Sequence, residues 1–360
     1  METFFCKTKI LSGAGSVAAL KDMQIQTLLL VSDPFFVKNG TAQQIANLTG
    51  ARKVQIFDKI QPDPSVALAA EGTAVVQALK PDTVVILGGG SAMDCGKAMA
   101  YFSGSGPRII AIPTTSGSGS EVTDFAILTH GAVKHPLVDA KLQPDVAILD
   151  GDLLKELPPK LIADTGFDVL SHALEACAAT GAGAITDALA ADAFATVFLR
   201  LPESYGGKTH VRQAIHNAAT MAGLAFSQAG LGLCHAMAHS LGGAFHLPHG
   251  RLNAMLLPAV ITCNAPAAAG KYAHMARAAG MGAAAEAMGV RNLKNGLIRL
   301  RKELQMPATL AQAGIDPRSV REQANAIIQA AYNDPCCHTN PVPVTENMVR
   351  QVLEEVTGRG

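Results

Sequence analysis

Charged side chains are scarce in this sequence, and those that occur balance one another. Only 16% of its 360 residues are charged, and the 29 basic side chains equal the 29 acidic ones in number. There is no basic tract, no stripe of Lys and Arg between aromatic residues, and no acidic tail. Surfaces that bind nucleic acid or anionic membranes need such clustered charge, so we expect neither as a partner.

Long hydrophobic runs and paired cysteines are also missing. No apolar run reaches the roughly 18 residues that a bilayer span needs. The first eleven residues lack the basic segment and apolar core of a secretory signal. The seven cysteines are odd in number and include no CxxC pair, which indicates reduced thiols in a cytoplasmic protein. We interpret the adjacent Cys336 and Cys337 as ordinary surface or core thiols, with metal reactivity as the alternative.

Apolar residues make up 49% of the chain, and their spacing differs between its two halves. In the first half, short runs rich in Val and Ile alternate with helical stretches, which is typical of a parallel sheet buried on both faces. The predicted strands are 27–31, 53–57, 83–87, 109–112, 125–128 and 146–149. The predicted crossover helices include 65–79 and 91–102.

The second half contains no strand pattern. It is rich in Ala, Leu, Met and Gln, which favour helices, and it is punctuated by Gly and Pro. The predicted helices are 161–178, 186–201, 211–228, 233–245 and 252–264, with more toward the C-terminus. Two prolines at 158–159 interrupt the helical pattern. We therefore expect an α/β domain over residues 1–157 and an all-helical domain over residues 158–360.

Two loops rich in glycine follow neighbouring predicted strands. Strand 83–87 leads into the sequence GGGS at 88–91, and strand 109–112 leads into PTTSGSGSEVT at 113–123. Glycines at a strand-to-helix turn let backbone amides approach a phosphate, and the helix N-terminus adds a favourable partial charge. Neither loop is the GxGxxG or the GxxxxGK[ST] motif. One such loop is often an ordinary tight turn, whereas two at one sheet edge indicate a dinucleotide site.

Asp33 follows the predicted strand 27–31. An acidic residue at this point can bind the ribose hydroxyls of an adenosine and repel a 2′-phosphate, which favours NAD over NADP. The alternative is that Asp33 is only a turn former before Pro34.

Histidines and one aspartate form the strongest chemical signal. Asp168 and His172 are four residues apart on one predicted helix, so they share a helix face. Four of the 11 histidines lie between His235 and His249, and His235 and His239 again share a face. We expect Gly242-Gly243 to end that helix and Pro248 to turn the chain back. One Asp with three His would supply an N₃O set for a divalent metal, and hydrogen-bonded core histidines are the alternative.

These residues closely resemble the iron-containing, group III alcohol dehydrogenases. The resemblance covers nearly the whole chain and rests on GGGSAMD at 88–94, PTTSGSGSEVT at 113–123, TGFDVLSHALEA at 165–176 and HAMAHSLGGAFHLPHG at 235–250. It implies a dehydroquinate synthase-like fold, in which a Rossmann-like dinucleotide-binding domain with a parallel sheet precedes an all-α metal-binding domain. The expected cofactors are NAD and a divalent metal, Fe²⁺ by the family name, with Zn²⁺ as the alternative.

The resemblance also assigns roles residue by residue. It places the metal ligands at Asp168, His172, His235 and His249, and it makes His239 a histidine beside the nicotinamide, which we interpret as the catalytic proton relay. The cofactor contacts fall on Asp33, Gly89, Gly90, Ser91, Asp94, Thr114, Thr115, Thr123 and Lys134. The chain departs from the family near its C-terminus, where Asn340-Pro341-Val342 replaces the usual Asn-Pro-Arg.

Within the family, residues 226–232 and 246–250 are most similar to the 1-propanol dehydrogenases of bacterial microcompartments. The expected reaction is the interconversion of a short-chain aldehyde, propionaldehyde first, and its primary alcohol. The expected protein is a cytoplasmic homodimer, with a microcompartment shell or partner enzyme as a further contact. The alternatives are a glycerol-, lactaldehyde/1,2-propanediol- or maleylacetate-type relative, a silent NAD-binding docking subunit, and a periplasmic metal-binding protein.

Overall fold

A computed structural model describes residues 3–131 and 133–358 of the chain. These residues divide into two compact units, one of Phe5–Leu157 and one that runs from Pro158 onward and includes residues 3 and 4. The first unit alternates strands with helices, and the second contains helices and no strand among its described residues. The α/β and all-helical classes expected from the sequence are confirmed.

The first unit is built on a six-stranded parallel sheet with a separate hairpin. The strands are β1 (Lys9–Ser12), β2 (Thr27–Ser32), β3 (Lys53–Phe57), β4 (Thr83–Gly88), β5 (Arg108–Pro113), β6 (Phe125–His130), β7 (Val133–Val138) and β8 (Val146–Leu149). The sheet has the order β1-β8-β5-β4-β2-β3, and all of its pairings are parallel. β6 and β7 pair with each other in antiparallel register.

Helices cover both faces of this sheet. They are α1 (Pro34–Lys38), α2 (Thr41–Leu48), α3 (Val66–Leu79) and α4 (Gly90–Phe102). Side chains alternate along β2, so Leu29 and Val31 enter one core with residues of α3 and α4. Leu28 and Leu30 enter the other core with residues of α2. Each of these fully buried aliphatic side chains contributes about 1.5–3 kcal/mol relative to exposure.

The strand order creates a switch point between β2 and β4. The chain passes from β2 to β3 on one side and returns to β4 on the other. The helices that follow β2 and β4 therefore lie on opposite faces and leave a crevice at the carboxyl ends of the two strands, where ligands bind in such sheets. Asp33 directly follows β2, and Gly89 directly follows β4.

The second unit is a bundle of eight long helices. They are α5 (Pro159–Ala178), α6 (Ala184–Tyr205), α7 (Arg212–Ala229), α8 (Leu233–Phe245), α9 (His249–Ala278), α10 (Glu286–Glu303), α11 (Pro317–Tyr332) and α12 (Glu346–Thr357). α5 packs against α6, α7 and α9, so most of its side chains are buried. By length and composition alone α9 could cross a membrane, but 67% of its most apolar window is buried in the bundle, as in a core helix.

Two local predictions are wrong, and one strand was missed. The run 125–128 is a strand, but it pairs with β7 in a hairpin and does not join the parallel sheet. Its burial accordingly alternates between partly exposed and buried positions. β1 escaped detection because it is a mostly exposed edge strand of only four residues, without a long apolar run. Gly242-Gly243 does not end α8, which continues to Phe245 and stops where His246 adopts a left-handed conformation with φ 54°.

Candidate metal and cofactor sites

Helices α5 and α8 bring three of the predicted metal ligands together. Asp168 and His172 lie one turn apart on α5, and His235 lies in the first turn of α8. One ligand atom from each residue falls within 4.8 Å of the other two. Their exposed fractions are only 9%, 6% and 1%, in the same order. The i, i+4 spacing on α5 thus places Asp168 and His172 on one helix face, as predicted. The third side chain, His235, comes from a different helix, α8.

His249 joins the group from a third helix, because it is the first residue of α9. Its Nε2 lies 3.6 Å from Asp168 Oδ1, and its ring centroid lies 5.2 Å from that of His235. The approach depends on Gly250, where a Cβ atom would lie 1.8 Å from the carbonyl oxygen of Asp164. Any side chain at this position would push the start of α9 away from α5. Glycine is therefore required for His249 to reach the cluster.

A buried carboxylate orients His235. Glu175 Oε2 lies 2.5 Å from His235 Nδ1, and its Oε1 accepts the backbone N–H of Cys234 at 2.7 Å. With Nδ1 occupied, Nε2 is the nitrogen left for other chemistry, and no hydrogen-bond partner for it exists in the described part of the chain. A buried ring nitrogen without a hydrogen-bond partner is costly, and a metal ion on Nε2 would remove that cost.

Asp168 and His172 are also held in place. The fully buried Asn253 donates through Nδ2 to Asp168 Oδ1 at 2.9 Å. The ring of Phe226 stacks on His172 with a centroid distance of 4.4 Å. A polar donor therefore fixes the carboxylate, and an apolar ring covers one face of the imidazole.

The protonation states suit a cation. Burial lowers the pKa of His235 to about 3, with the nearby His239 as a smaller cause, so its imidazole is neutral at physiological pH. Burial raises the pKa of Glu175 to about 7, against the backbone N–H bonds that lower it. Neutral imidazole nitrogens and one carboxylate oxygen are the donors that divalent transition metals bind, so the residues fit the metal that the sequence predicted.

Two residues that the sequence analysis did not assign position the start of α8. Asn340 Oδ1 accepts the N–H of Leu233 at 3.1 Å. At Gly232, a Cβ would lie 2.6 Å from Asn340 Oδ1 and 2.9 Å from Glu175 Oε1. Asn340, in the motif whose third residue is Val342, thus positions the first residue of α8. The motif itself was the available signal.

The two glycine-rich loops meet at the sheet edge of the α/β unit. A Cβ on Gly89 would lie 3.1 Å from Thr115 Oγ1, and one on Gly90 would lie 3.2 Å from Ser118 Cβ. The N–H of the buried Thr114 donates to the carbonyl of Gly88 at 3.0 Å. No described side chain caps the first turn of α4, where Gly90 and Ser91 lie. Its free amides and the bare glycines form a cradle that fits a pyrophosphate.

Asp33 lies at the switch point beside the first loop. Its Oδ1 accepts the N–H of Phe35 at 3.0 Å and so caps α1. Its Oδ2 lies 3.5 Å from the position that a Cβ on Gly88 would occupy. Burial raises the pKa of this carboxyl group above its ordinary value. Asp33 therefore forms the turn before Pro34, as the alternative interpretation predicted. It also faces the predicted dinucleotide cradle.

The largest omission from the sequence analysis is Lys97, on α4. Its ammonium is fully buried and donates to the carbonyl of Ser120 at 2.9 Å and to that of Thr123 at 3.0 Å. Ser120 also donates to Asp94 Oδ1 at 2.8 Å. Asp94 and Thr123, which were expected to contact the cofactor, are thus tied to a buried network that shapes the second loop. The spacing of Asp94 and Lys97, three residues apart on one helix, was the available signal.

Lys134 and His239 are paired with carboxylates. Lys134 lies on β7, and its ammonium is 2.6 Å from Asp63 Oδ1. His239 lies one turn after His235 on α8, and its Nδ1 is 2.9 Å from Asp334 Oδ2. Its ring stacks on that of His249 with a centroid distance of 5.2 Å. His239 therefore lies beside the cluster without belonging to its closest group.

Comparison with known families decides the identity. A family model described as iron-containing alcohol dehydrogenase matches residues 7–151, and one described as Fe-containing alcohol dehydrogenase family, C-terminal, matches residues 162–357. The chain belongs to the iron-containing alcohol dehydrogenase family. It is an oxidoreductase, and the resemblance seen in the sequence is confirmed.

Individual members of the iron-containing alcohol dehydrogenases match over their full lengths. The chain is 42% identical to 1-propanol dehydrogenase PduQ of Salmonella typhimurium, covering 99% of this chain and 100% of that protein. It is 33% identical to an NADPH-dependent butanol dehydrogenase of Clostridium saccharobutylicum, covering 98% and 97%. The structure of sulfoacetaldehyde reductase from Bifidobacterium kashiwanohense in complex with NAD⁺ superposes with a TM-score of 0.89, at 28% identity and 100% coverage of both chains.

Proposed function

We propose that this dehydrogenase binds one divalent metal ion, Fe²⁺ before Zn²⁺, through Asp168, His172, His235 and His249. The observation that carries the proposal is the convergence of these side chains around His235 Nε2, a buried ring nitrogen without a hydrogen-bond partner among the described residues. Glu175 supports it by holding Nδ1 of the same ring, since metal-binding histidines commonly donate their second nitrogen to a carboxylate.

The bound ion would act as a Lewis acid on the oxygen of an aldehyde or alcohol. The protein holds its ligands in the required forms: burial keeps His235 neutral, and Asn253 fixes the Asp168 carboxylate. His239 is the proposed proton relay. Asp334 is ionised, because His239 holds its pKa below the ordinary value despite burial. Nδ1 of His239 then donates to Asp334, and Nε2 is left to accept a proton.

We further propose NAD(H) as the hydride carrier, held by the cradle at 88–91 and 113–123. The proposed cofactor-binding residues are Asp33, Gly89, Gly90, Ser91, Asp94, Thr114, Thr115, Thr123 and Lys134. Asp33 supports NAD over NADP because its carboxylate lies at the switch point and would repel a 2′-phosphate. For Asp94, Thr123 and Lys134 the proposed role is indirect, since Ser120, Lys97 and Asp63 already engage their polar groups.

The proposed substrate is a short-chain aldehyde or primary alcohol, propionaldehyde and 1-propanol first. Phe226 against His172 gives the cluster an apolar wall, and the similarity to a 1-propanol dehydrogenase points to the same chemistry. Met237 and Leu241, on the same helix as His235, are fully buried and keep the surroundings of that histidine apolar. The proposal includes a cytoplasmic homodimer, housed in a bacterial microcompartment beside a shell protein or partner enzyme.

Metal binding is tested on protein purified without oxygen. Elemental analysis of the wild type should give about one ion per chain, and His249→Ala should lose most of it. His274→Ala is the matched control, because His274 is an exposed residue on the same helix α9. Full metal content in His249→Ala would remove His249 from the ligand set.

Substrate and cofactor are tested in one matrix of assays. The rates with NADH and NADPH are compared across C2 to C4 aldehydes, lactaldehyde and dihydroxyacetone. The proposal expects the highest kcat/KM for propionaldehyde with NADH. Faster turnover of lactaldehyde or dihydroxyacetone would instead assign a propanediol- or glycerol-type branch, and the absence of all turnover in metal-loaded protein would favour a silent subunit.

A further inference from the structure

A second group of metal-binding side chains lies next to the proposed iron site. Among the described residues, only two groups bring three or more such side chains together, and the second consists of His239, Asp334 and Cys336. One ligand atom from each falls within 4.8 Å of the others. The sequence analysis assigned Asp334 no role and left metal reactivity of Cys336 as an alternative, and in the proposed reaction His239 and its partner Asp334 serve only proton transfer.

Two elements supply this group, helix α8 and a 3₁₀ turn near the C-terminus. His239 lies in the middle of α8, and Asp334 caps the 3₁₀ turn Pro335–Thr339. Asp334 Oδ1 accepts the N–H of Cys336 at 2.8 Å, and Oδ2 lies 2.9 Å from His239 Nδ1. One carboxylate therefore sets the positions of the imidazole and the thiol. The side chains of His239 and Asp334 are 21% and 15% exposed, so an ion from solvent can reach them.

We propose that His239, Asp334 and Cys336 bind a second, thiophilic divalent cation such as Zn²⁺. Their donors are an imidazole nitrogen, a carboxylate oxygen and a thiolate sulfur, which together suit zinc in tetrahedral coordination with water in the fourth position. The group at Asp168 contains no sulfur, so the two sites differ in the softness of their donors. On binding, the Cys336 thiol releases its proton to solvent, as thiolates rather than thiols ligate metals.

Occupation of this second site inhibits the dehydrogenase, a consequence that rests on the proposed function of His239. An imidazole that is coordinated to zinc cannot exchange protons, and Asp334 can no longer orient it. The enzyme is then active with its first site filled and loses activity when free zinc fills the second. The binding step itself does not depend on the role of His239.

The neighbouring cysteine provides a matched control. Cys337 Sγ lies 3.1 Å from the carbonyl oxygen of Ala331 and is not part of the group. Cys337→Ser therefore removes a neighbouring thiol that is not a proposed ligand, by the same substitution that is made at Cys336. Asp334→Asn is a second variant for the site, since asparagine keeps the cap on the 3₁₀ turn but lacks the charge.

Binding is tested by adding Cd²⁺ to the apo protein and following thiolate-to-cadmium charge-transfer absorption in the ultraviolet. In the wild type and Cys337→Ser, the band should be complete when about one equivalent of Cd²⁺ has been added beyond the amount that the first site binds. Cys336→Ser should not develop it, and Asp334→Asn should need on the order of tenfold more Cd²⁺. A band that is missing from the wild type, or that survives in Cys336→Ser, overturns the proposal.

Two further measurements separate this proposal from the proposed function. His235→Ala should bind one Cd²⁺ fewer but keep the thiolate band, so failure of the first site leaves the second testable. Free Zn²⁺ should inhibit the metal-loaded wild type and Cys337→Ser at the same concentration, and Cys336→Ser should need on the order of tenfold more. If the band depends on Cys336 but Zn²⁺ does not inhibit, the site stands and the relay role of His239 is wrong.

Discussion

Glu175 and His235 lie 2.5 Å apart, from Oε2 to Nδ1, and both side chains are almost completely buried. The same carboxylate accepts the backbone N–H groups of Cys234 and His235 at the start of α8. One side chain of α5 therefore fixes the ring orientation of His235 and the position of the helix that carries it. The first prediction follows from this double role.

Replacing Glu175 with Gln should weaken metal binding by roughly 10–100-fold while the fold is retained. Glutamine preserves the shape and one acceptor but removes the charge that strengthens the Nδ1–H bond. The metal Kd is measured by competition with a chelator, with the exposed Glu303→Gln as control. Unchanged affinity in Glu175→Gln would mean that the pairing serves only the packing of α8.

The pH dependence of apo-protein stability should report the same pair. Folding raises the pKa of Glu175 from 4.5 to about 7 and lowers that of His235 from 6.5 to about 3. Between pH 4.5 and 6.5, the folded pair holds one proton, on Glu175, and the unfolded pair also holds one, on His235. Because the proton counts are equal, the pair should contribute no pH slope to the free energy of unfolding there.

In Glu175→Gln only His235 of this pair titrates. Its pKa is lower in the folded state, so the unfolded state binds more protons below pH 6.5 and stability should fall with falling pH. Relative to the wild type, the added slope should approach about 1.4 kcal/mol per pH unit. Urea unfolding of the apo proteins at several pH values measures it. The double variant with His235→Gln should return to the wild-type slope, and a slope that persists there would assign the effect elsewhere.

Removing the charge of Asp33 should shift the cofactor preference toward NADP(H). Asp33→Asn keeps a good cap for α1, whereas Asp33→Gly also removes the side chain. Both should raise the ratio of kcat/KM for NADPH to that for NADH, by on the order of tenfold or about 1.4 kcal/mol. A wild type that already prefers NADPH would contradict the role given to Asp33.

Lys97→Met should loosen the second cofactor loop. The ammonium donates to Ser120, Thr123 and Phe125, and its loss leaves buried carbonyl oxygens without donors, each at a cost of about 1–3 kcal/mol. We expect lower stability, faster amide exchange over residues 113–123 and a higher KM for NADH. Lys53→Met on β3 is the exposed control. A normal KM with normal amide exchange would show that the loop holds its shape without Lys97.

His239→Ala should keep the first metal and reduce turnover by roughly 10²-fold if His239 is a general acid–base group. The pH profile of alcohol oxidation should also change, because the variant lacks the group that takes up the proton. If His239 only packs against the nicotinamide, the KM for NADH rises and the pH profile stays as in the wild type. Loss of the metal would mean that His239 is a ligand. Metal analysis and a pH–rate curve on this variant distinguish the three.

Local sequence patterns were enough to predict the class of the fold and the side chains proposed as the metal ligands. Unbroken apolar runs identify β2, β4 and β8, because a strand buried on both faces needs apolar side chains at successive positions. The i, i+4 pair Asp168–His172 follows from helix geometry alone. These signals are local, so no neighbouring element is needed to see them.

Tertiary structure alone decided the features that depend on partners distant in sequence. Glu175 becomes the orienter of His235 from 60 residues away, and Asn340 reaches Leu233 across 107 residues. Lys97 shapes a loop that begins 16 positions later, and β6 leaves the sheet because β7 offers it an antiparallel partner. A buried polar group needs a partner somewhere in the fold, but its own sequence neighbourhood does not say where that partner lies.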